Sequence, residues 1–143
     1  MSTLRDIYDE GVRRFNAGDI DATSELYAED AVLVTPDGTF EGRAAIHQFW
    51  KEDKATCPDS KSTVHAFFEQ ADAVAGEWTM VGTNTGPVHL PDGTVLPATG
   101  RHVEVHGMEL RQFRDGKVVR HHVYWDNMGF ARQLGLLPES ATA

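Results

Sequence analysis

The sequence has little of what marks secreted, metal-rich or nucleic-acid-binding proteins. Its 143 residues include one cysteine, Cys57, which excludes an internal disulfide and a cysteine-rich metal site. Lysine and arginine total 13 against 22 aspartates and glutamates, and this net charge of −9 argues against nucleic acid or an anionic membrane as a partner. No apolar run approaches the ~18 residues of a membrane-spanning helix, and the N-terminus lacks the apolar core of a signal peptide. We therefore expect a cytoplasmic protein with one domain covering residues 1–143.

What the first part of the sequence does contain is helical spacing. Apolar residues recur every three or four positions over residues 3–17, which predicts a first helix. A second helix is expected to begin at an Asp19 or Asp21 cap and to run through Tyr27. The other elements predicted for this part are a short strand at 31–35, a turn at 36–38 and a third helix at 43–54.

The second part changes to the period of two that is typical of strands. Asp115 and Gly116 predict a tight turn between the last two strands. Helices first and long antiparallel strands afterwards indicate an α+β fold. Long strands twist strongly, so we expect a curved, mostly antiparallel sheet that carries three helices on its concave face and encloses an apolar pocket. The predicted strands cover 62–70, 73–85, 99–113 and 117–126, with a loop at 87–97 and a final short helix at 130–136.

Two sets of short motifs resemble a known superfamily and one family within it. The first set resembles the nuclear-transport-factor-2-like superfamily and consists of residues 15–19 (FNAGD), 27–31 (YAEDA) and 40–46 (FEGRAAI). The second set resembles the SnoaL-like polyketide cyclase (ester cyclase-like) family and consists of residues 82–86 (GTNTG), 97–101 (PATGR), 114–119 (RDGKVV), 124–126 (YWD) and 132–136 (RQLGL). The likeness covers nearly the whole chain and implies a cone-shaped fold.

The resemblance implies a reaction and a site. Family cyclases close a ring by an intramolecular aldol step on a polyketide methyl ester, using neither a metal nor a Schiff base, so no cofactor is expected. An acidic residue near the end of the last strand is their general acid/base, and by position this is Asp126. Some members add a histidine on the preceding strand, where this chain has Glu109, with His106 slightly earlier. The fold also implies a homodimer and a small hydrophobic ligand.

The residues around Asp126 allow two interpretations. A buried carboxylate with a raised pKa would serve an aldol step as base and then as acid. An exposed aspartate would instead cap the closing helix through the backbone N–H of Met128 or Gly129. Strand alternation places His122 and Tyr124 on the same face as Asp126, so all three would meet the ligand if that face is the inner one.

A second polar set lies on the preceding strand. His102, Glu104 and His106 alternate with valines, so they share one strand face. Two histidines and a carboxylate at this spacing are compatible with a divalent metal, whereas the other interpretation is a solvated outer face or a dimer interface. We expect no metal. If the strand instead turns this face inward, His106 becomes a pocket residue beside Asp126.

The wall of the pocket is expected to be aromatic. Core packing is the alternative interpretation for each of these side chains. Glu109 is added as a ligand contact, and Arg111 is expected to pair with Glu109 or with a substrate carbonyl. The predicted wall consists of Tyr8, Phe15, Tyr27, Trp50 and Trp78.

Other functions on the same scaffold remain open at this point. A non-catalytic ligand-binding or dimerisation module would have an ordinary Asp126 and a pocket filled by side chains. An epoxide hydrolase would need Arg111 and a second acid beside Asp126 to hold a water. A ketosteroid-type isomerase would place its base at Thr35 and its tyrosine at Gly11, and neither residue can serve.

Overall fold

The helices in the computed structural model, which describes residues 2–137, begin at side-chain caps or at a tight turn. Helix α1 (Leu4–Asn16) starts at Thr3, whose hydroxyl accepts the N–H of Asp6 in a capping box. Helix α2 (Ile20–Ser24) starts at Asp19, one of the two caps expected from the sequence. Helix α3 (Arg43–Thr56) follows Gly42, whose φ of 88° favours glycine. None of the described helices is long and apolar enough to span a membrane.

Six strands form one sheet in the order β2-β1-β8-β7-β4-β3. The pair β1–β8 is parallel and every other neighbouring pair is antiparallel. The strands are β1 (Tyr27–Thr35), β2 (Gly38–Glu41), β3 (Lys61–Gln70), β4 (Ala73–Thr83), β7 (His102–Arg114) and β8 (Lys117–Trp125). A separate small hairpin pairs β5 (Val88–His89) with β6 (Val95–Leu96), and α4 (Asn127–Gln133) follows β8. The predicted α+β fold, a curved and mostly antiparallel sheet with N-terminal helices, is confirmed.

Several predicted boundaries are wrong. The second helix ends at Ser24 rather than Tyr27, because Tyr27 pairs with Val118 and begins β1. The last helix begins at Asn127 rather than residue 130, because Asp126 caps it. Strand β2 was not expected. The loop predicted at 87–97 contains the β5–β6 hairpin, and β7 begins three residues later than predicted.

The two faces of β7 and β8 differ in polarity. On β7 the inward positions are apolar except for Glu109 and Arg111, whereas His102, Glu104 and His106 lie on the outer face. On β8 the extra residue Val119 is inserted opposite the step from Gln112 to Phe113, which shifts the alternation. The inward side chains of β8 after this bulge are His121, Val123 and Trp125.

A buried asparagine holds the segment that follows β4. Asn84 is fully buried, and its side-chain amide donates to the carbonyl oxygens of Thr56 and Gly86 at 2.9 Å each. Its oxygen accepts the backbone N–H and the hydroxyl of Thr99 at 2.7 and 2.9 Å. These four bonds fix residues 85–99 to the end of α3, and Val88 then packs in a small core with Leu134.

Candidate functional site

An apolar cavity lies between the helices and the inner face of the sheet. Its volume is about 110 Å³, it is partly open to solvent, and most of its surface is apolar. A space of this size accommodates roughly one aromatic ring. Its apolar wall includes Val12, Phe15, Trp50, Val64, Trp78, Met80, Val105, Val123, Trp125 and Phe130.

Four side chains make a hydrogen-bonded chain along one wall of the cavity. The indole N–H of Trp50 donates to the hydroxyl oxygen of Tyr27 at 3.1 Å. The Tyr27 oxygen lies 2.7 Å from Nδ1 of His121, and Nε2 of His121 lies 2.7 Å from Oε1 of Glu109. A carboxylate only accepts, so we assign the imidazole proton to Nε2 and the Tyr27 hydroxyl as donor to Nδ1. His121 is therefore neutral and oriented on both sides.

Glu109 is the centre of a second set of contacts. Oε1 accepts from Nε of Arg111 at 2.7 Å, and Oε2 accepts the hydroxyl of Tyr8 at 2.9 Å. The guanidinium of Arg111 also stacks on the Tyr8 ring, 4.7 Å from its centroid. Among the contacts of residues 2–137, neither Nη atom of Arg111 has a protein hydrogen-bond partner, although Arg111 lines the cavity. These donors are available to a ligand oxygen.

The charges of this group follow from burial and neighbouring charge. Burial alone would raise the pKa of Glu109, but Arg111 and the His121 N–H lower it to about 2. Burial and the positive charge of Arg111 lower the pKa of His121 to about 4, against the opposite effect of Glu109. Burial raises the pKa of Tyr27 to about 12. At neutral pH Arg111 is therefore a cation and Glu109 an anion, whereas His121 and Tyr27 are neutral.

A further acid reaches the cavity from α3. Asp53 lies one turn after Trp50 and is partly buried in the cavity wall. Burial and the nearby Asp37 carboxylate raise the pKa of Asp53 to about 7, and Lys54 opposes the rise. The pKa of Asp37 is also raised by burial, although Asn127 donates to its Oδ1 at 2.9 Å.

Most of the predicted wall residues lie at the cavity. Phe15, Tyr27, Trp50, Trp78 and Glu109 line it. Tyr8, the sixth residue of this prediction, is fully buried behind the wall and contacts the site through its hydrogen bond to Glu109 and the stacking of Arg111 on its ring. The expected pairing of Arg111 with Glu109 is confirmed.

The residues predicted to be catalytic lie elsewhere. Asp126 is exposed, and its Oδ1 accepts the N–H of Gly129 at 2.8 Å, so the helix-cap interpretation is confirmed. His122 is on the outer face, where its Nδ1 lies 3.1 Å from the hydroxyl of Tyr124. His106 is also on the outer face. The condition that this face turns inward is not met, because β8 buries the other set of alternating residues. The outer-face interpretation is confirmed for His102, Glu104 and His106.

The outer face carries its own shallow groove. Tyr124, His106 and Asp126 border it together with His65 and Thr79. The hydroxyl of Thr79 bridges the two imidazoles, 2.8 Å from Nε2 of His65 and 3.0 Å from Nδ1 of His106. The structure thus brings Asp126, His106 and Tyr124 near one another, but away from the interior cavity. The epoxide-hydrolase pairing of Asp126 with the buried Arg111 is not formed.

Sequence reasoning missed His121 and Asp53. A signal for His121 was present, because Arg120, His122 and Tyr124 form the more polar alternating set of β8, and a charged set faces solvent more often than a core. Asp53 gave no such signal, since an aspartate on a helix is ordinarily solvated.

The sequence matches the model of a known domain family. The model of the SnoaL-like domain family matches residues 8–121. The chain belongs to the SnoaL-like family. This confirms the resemblance drawn from the sequence motifs. A search of curated protein sequences finds no match.

Several solved structures share this fold. IdmH of Streptomyces antibioticus, a candidate polyketide cyclase, is 29% identical, with a TM-score of 0.76 over 94% of this chain and 99% of that chain. AclR of Streptomyces galilaeus, a candidate hydroxylase, is 25% identical, with a TM-score of 0.80 over 96% and 88%. A candidate SnoaL-like polyketide cyclase of Jannaschia sp. CCS1 is 19% identical and shows the fold alone, with a TM-score of 0.78 over 96% and 98%.

Proposed function

We propose that this SnoaL-like protein is a cofactor-independent general acid/base enzyme that acts on a small hydrophobic carbonyl compound in its interior cavity. One observation carries the proposal: Arg111 and the Glu109-bound His121 meet at one wall of an otherwise apolar cavity. Proton removal beside a carbonyl needs a donor for the oxygen and a base for the carbon. Arg111 and His121 supply these two groups.

Arg111 is the donor for the carbonyl oxygen. Its Nε is held by Glu109 at 2.7 Å, so the plane of the guanidinium is fixed while its Nη atoms remain available at the cavity. Negative charge that develops on the oxygen is stabilised most by donors that need no reorganisation. Tyr27 is a second donor, since its hydroxyl can turn from His121 to the ligand.

His121 is the base. Its Nδ1 is bonded only to the rotatable Tyr27 hydroxyl, and Glu109 stabilises the imidazolium that forms when Nδ1 takes a proton. Burial and the positive charge of Arg111 lower the pKa of His121. An enolate beside Arg111 offsets that repulsion, so His121 becomes more basic as the reaction proceeds.

The most specific form of the proposal is intramolecular aldol cyclisation of a polyketide ester. The enolate carbon would form a bond to a second carbonyl carbon of the polyketide, and the alkoxide so formed would take back the proton from the His121 imidazolium. IdmH, named as a candidate polyketide cyclase, supports this form. A compound of several rings exceeds the cavity volume of about 110 Å³. The cyclisation therefore requires the cavity to widen or the ligand to extend through its open side.

Exchange of the methyl hydrogens of acetophenone for deuterium in heavy water, followed by proton NMR, tests the proposal without knowledge of the substrate. The protein is expected to accelerate exchange, and His121→Gln to lose it by about 10²-fold or more. Asp126→Asn is expected to exchange as the wild type does. Exchange that disappears with Asp126→Asn and survives His121→Gln would return the acid/base role to Asp126. Absence of exchange in the wild type would overturn the proposal.

We also propose that two copies associate through the outer face of the sheet. Large apolar side chains are exposed there, including Tyr124 at 60%, Met108 at 45%, Leu110 at 48% and Phe68 at 65%. Met108 lies directly opposite Tyr124 in the β7–β8 register, so the patch crosses neighbouring strands. Light scattering after gel filtration should give a dimer mass, and Met108→Glu should give the monomer mass. A monomeric wild type would refute this.

A further inference from the structure

We propose that Asp53 determines ligand specificity by selecting carbonyl compounds that carry a hydroxyl group at the end remote from the carbonyl. This rests on the proposed function, which assigns the carbonyl oxygen to Arg111. Asp53 reaches the cavity from α3, whereas Arg111 and His121 reach it from the sheet. Charged groups of opposite sign therefore reach the cavity from two different walls.

The neighbours of Asp53 are already engaged with other partners. The ammonium of Lys54 donates to the carbonyl oxygen and hydroxyl of Ser60 at 2.7 and 3.1 Å and lies 4.7 Å from the centroid of the Phe15 ring. Asn127 donates to Asp37. Within residues 2–137 the carboxylate of Asp53 accepts no protein hydrogen bond and pairs with no cation. Its oxygens are thus available to a molecule in the cavity.

A structural role does not account for this acid. A carboxylate removed from bulk solvent destabilises the fold unless a donor or cation compensates for its lost hydration. Glu109 shows the compensated case, with Arg111, His121 and Tyr8 around it. Asp53 is partly buried at the cavity wall without such partners among the described residues, and burial raises its pKa. A hydrogen-bond donor on a ligand would supply the interaction that no group in the described part of the protein makes with Asp53.

The chemistry of Asp53 limits the group that it can receive. Above about pH 7, where binding is to be measured, Asp53 is ionised and only accepts hydrogen bonds. The bond from a hydroxyl to an ionised oxygen is short and roughly twice as strong as a neutral one. A second carbonyl or an anionic group would instead be repelled by Asp53 and by Asp37 beside it. The selected ligand therefore has an acceptor at the Arg111 end and a donor at the Asp53 end.

Two compounds of nearly the same shape test this. In 4-(hydroxymethyl)acetophenone the hydroxyl takes the place of the terminal methyl group of 4-ethylacetophenone. Binding can be followed by tryptophan fluorescence, because Trp50, Trp78 and Trp125 line the cavity. The wild type is expected to bind the hydroxymethyl compound about tenfold more tightly. Asp53→Leu should remove or reverse this preference, and Asp53→Asn, which keeps a neutral acceptor, should retain part of it.

The adjacent acid on the same helix provides the control. Glu52 is not among the cavity residues, so Glu52→Gln should keep the full preference. A thermal melt of each variant shows whether it folds. If Asp53→Leu does not fold, the reduced preference of Asp53→Asn is the test. Equal binding of the two compounds by the wild type, or a preference that survives Asp53→Leu, would overturn the inference.

Deuterium exchange of the methyl ketone hydrogens in the same samples separates the two proposals. If the wild type prefers the hydroxymethyl compound but catalyses no deuterium exchange, the acid/base function is refuted and selection by Asp53 stands. If the wild type catalyses deuterium exchange but binds the two compounds equally, selection by Asp53 is refuted and the acid/base function stands. Failure of both compounds to bind would overturn both.

Discussion

Nε2 of His121 lies 2.7 Å from Oε1 of Glu109, and both side chains are almost completely buried. The same carboxylate holds Arg111 at 2.7 Å, so one anion fixes the tautomer of an imidazole and the plane of a guanidinium. Removing that anion affects both groups at once. The role of Glu109 is therefore one of positioning, and its loss has a stability cost as well as a functional one.

Glu109→Gln should lower the free energy of unfolding by about 3 kcal/mol, because it leaves the buried charge of Arg111 without its partner. Chemical denaturation measures the change. Glu104→Gln is the matched control, since Glu104 is exposed on the outer face of the same strand and should change stability by under about 0.5 kcal/mol. Equal effects of the two substitutions would contradict the buried network.

The pH dependence of stability should change in Asp53→Asn. The pKa of His121 is lowered to about 4, so the unfolded chain binds the proton first and stability is lost as pH falls from about 6.5 to about 4. The pKa of Asp53 is raised to about 7, so its contribution has the opposite sign and decreases as pH rises from about 4 to about 7. The two contributions oppose each other in the wild type.

With the Asp53 contribution removed, acidification from pH 6.5 to 4 should destabilise the variant by on the order of 3 kcal/mol, against a much flatter wild-type curve. Above pH 7 the variant should be the more stable protein, because it no longer buries an ionised carboxylate. Urea unfolding at a series of pH values gives both curves. Parallel curves would show that one of the two groups is not in the protonation state described.

Gly76→Ala should destabilise the protein by about 2 kcal/mol or more. A Cβ atom at residue 76 would lie 2.0 Å from the hydroxyl oxygen of Tyr8 and 2.7 Å from Cζ, so the Tyr8–Glu109 bond could not persist. Thermal unfolding measures the loss. Tyr8→Phe removes the nearer atom, so the double variant should lose less than the sum of the two single changes. If the losses of the two single variants simply add in the double variant, the contact between residue 76 and the Tyr8 hydroxyl is not the cause of the destabilisation.

Asp126→Ala should cost about 1 kcal/mol, the usual value of a helix N-cap, and should leave acetophenone exchange unchanged. Asp126→Asn should cost less, since asparagine also caps. Measuring both the melting temperature and the exchange rate of each variant shows whether Asp126 acts as a helix cap or as a general acid/base. A fall in exchange without a fall in stability would favour the role expected from the family resemblance.

The fold was more predictable than the site. Strand alternation and the Asp115–Gly116 turn gave the β7–β8 hairpin, and the motifs gave the family. Which alternating set of β8 faces inward depends on the bulge at Val119, and a one-residue shift exchanges the two faces. The family resemblance placed the acid/base at Asp126, and strand alternation from Asp126 then selected His122 rather than the buried His121.

The aromatic wall was predictable because large apolar side chains at helical and strand spacing are buried wherever the core lies. The role of Asp53 was not predictable. That role depends on its having no partner among the residues that the folded structure describes, and spacing along the sequence carries no information about such contacts. Arg111 lies between these cases, since its pairing with Glu109 two residues away on the same strand face could be read from alternation.

Trp78 lies against Gly107 so closely that a Cβ atom there would be 2.3 Å from its ring. Its indole borders both the interior cavity and the groove on the outer face. Trp78 pairs with Gly107 in the β4–β7 ladder, so its ring covers the glycine. A small residue in place of Trp78 would leave Gly107 uncovered and enlarge the interior cavity, so the protein would accept a larger ligand at the expense of packing.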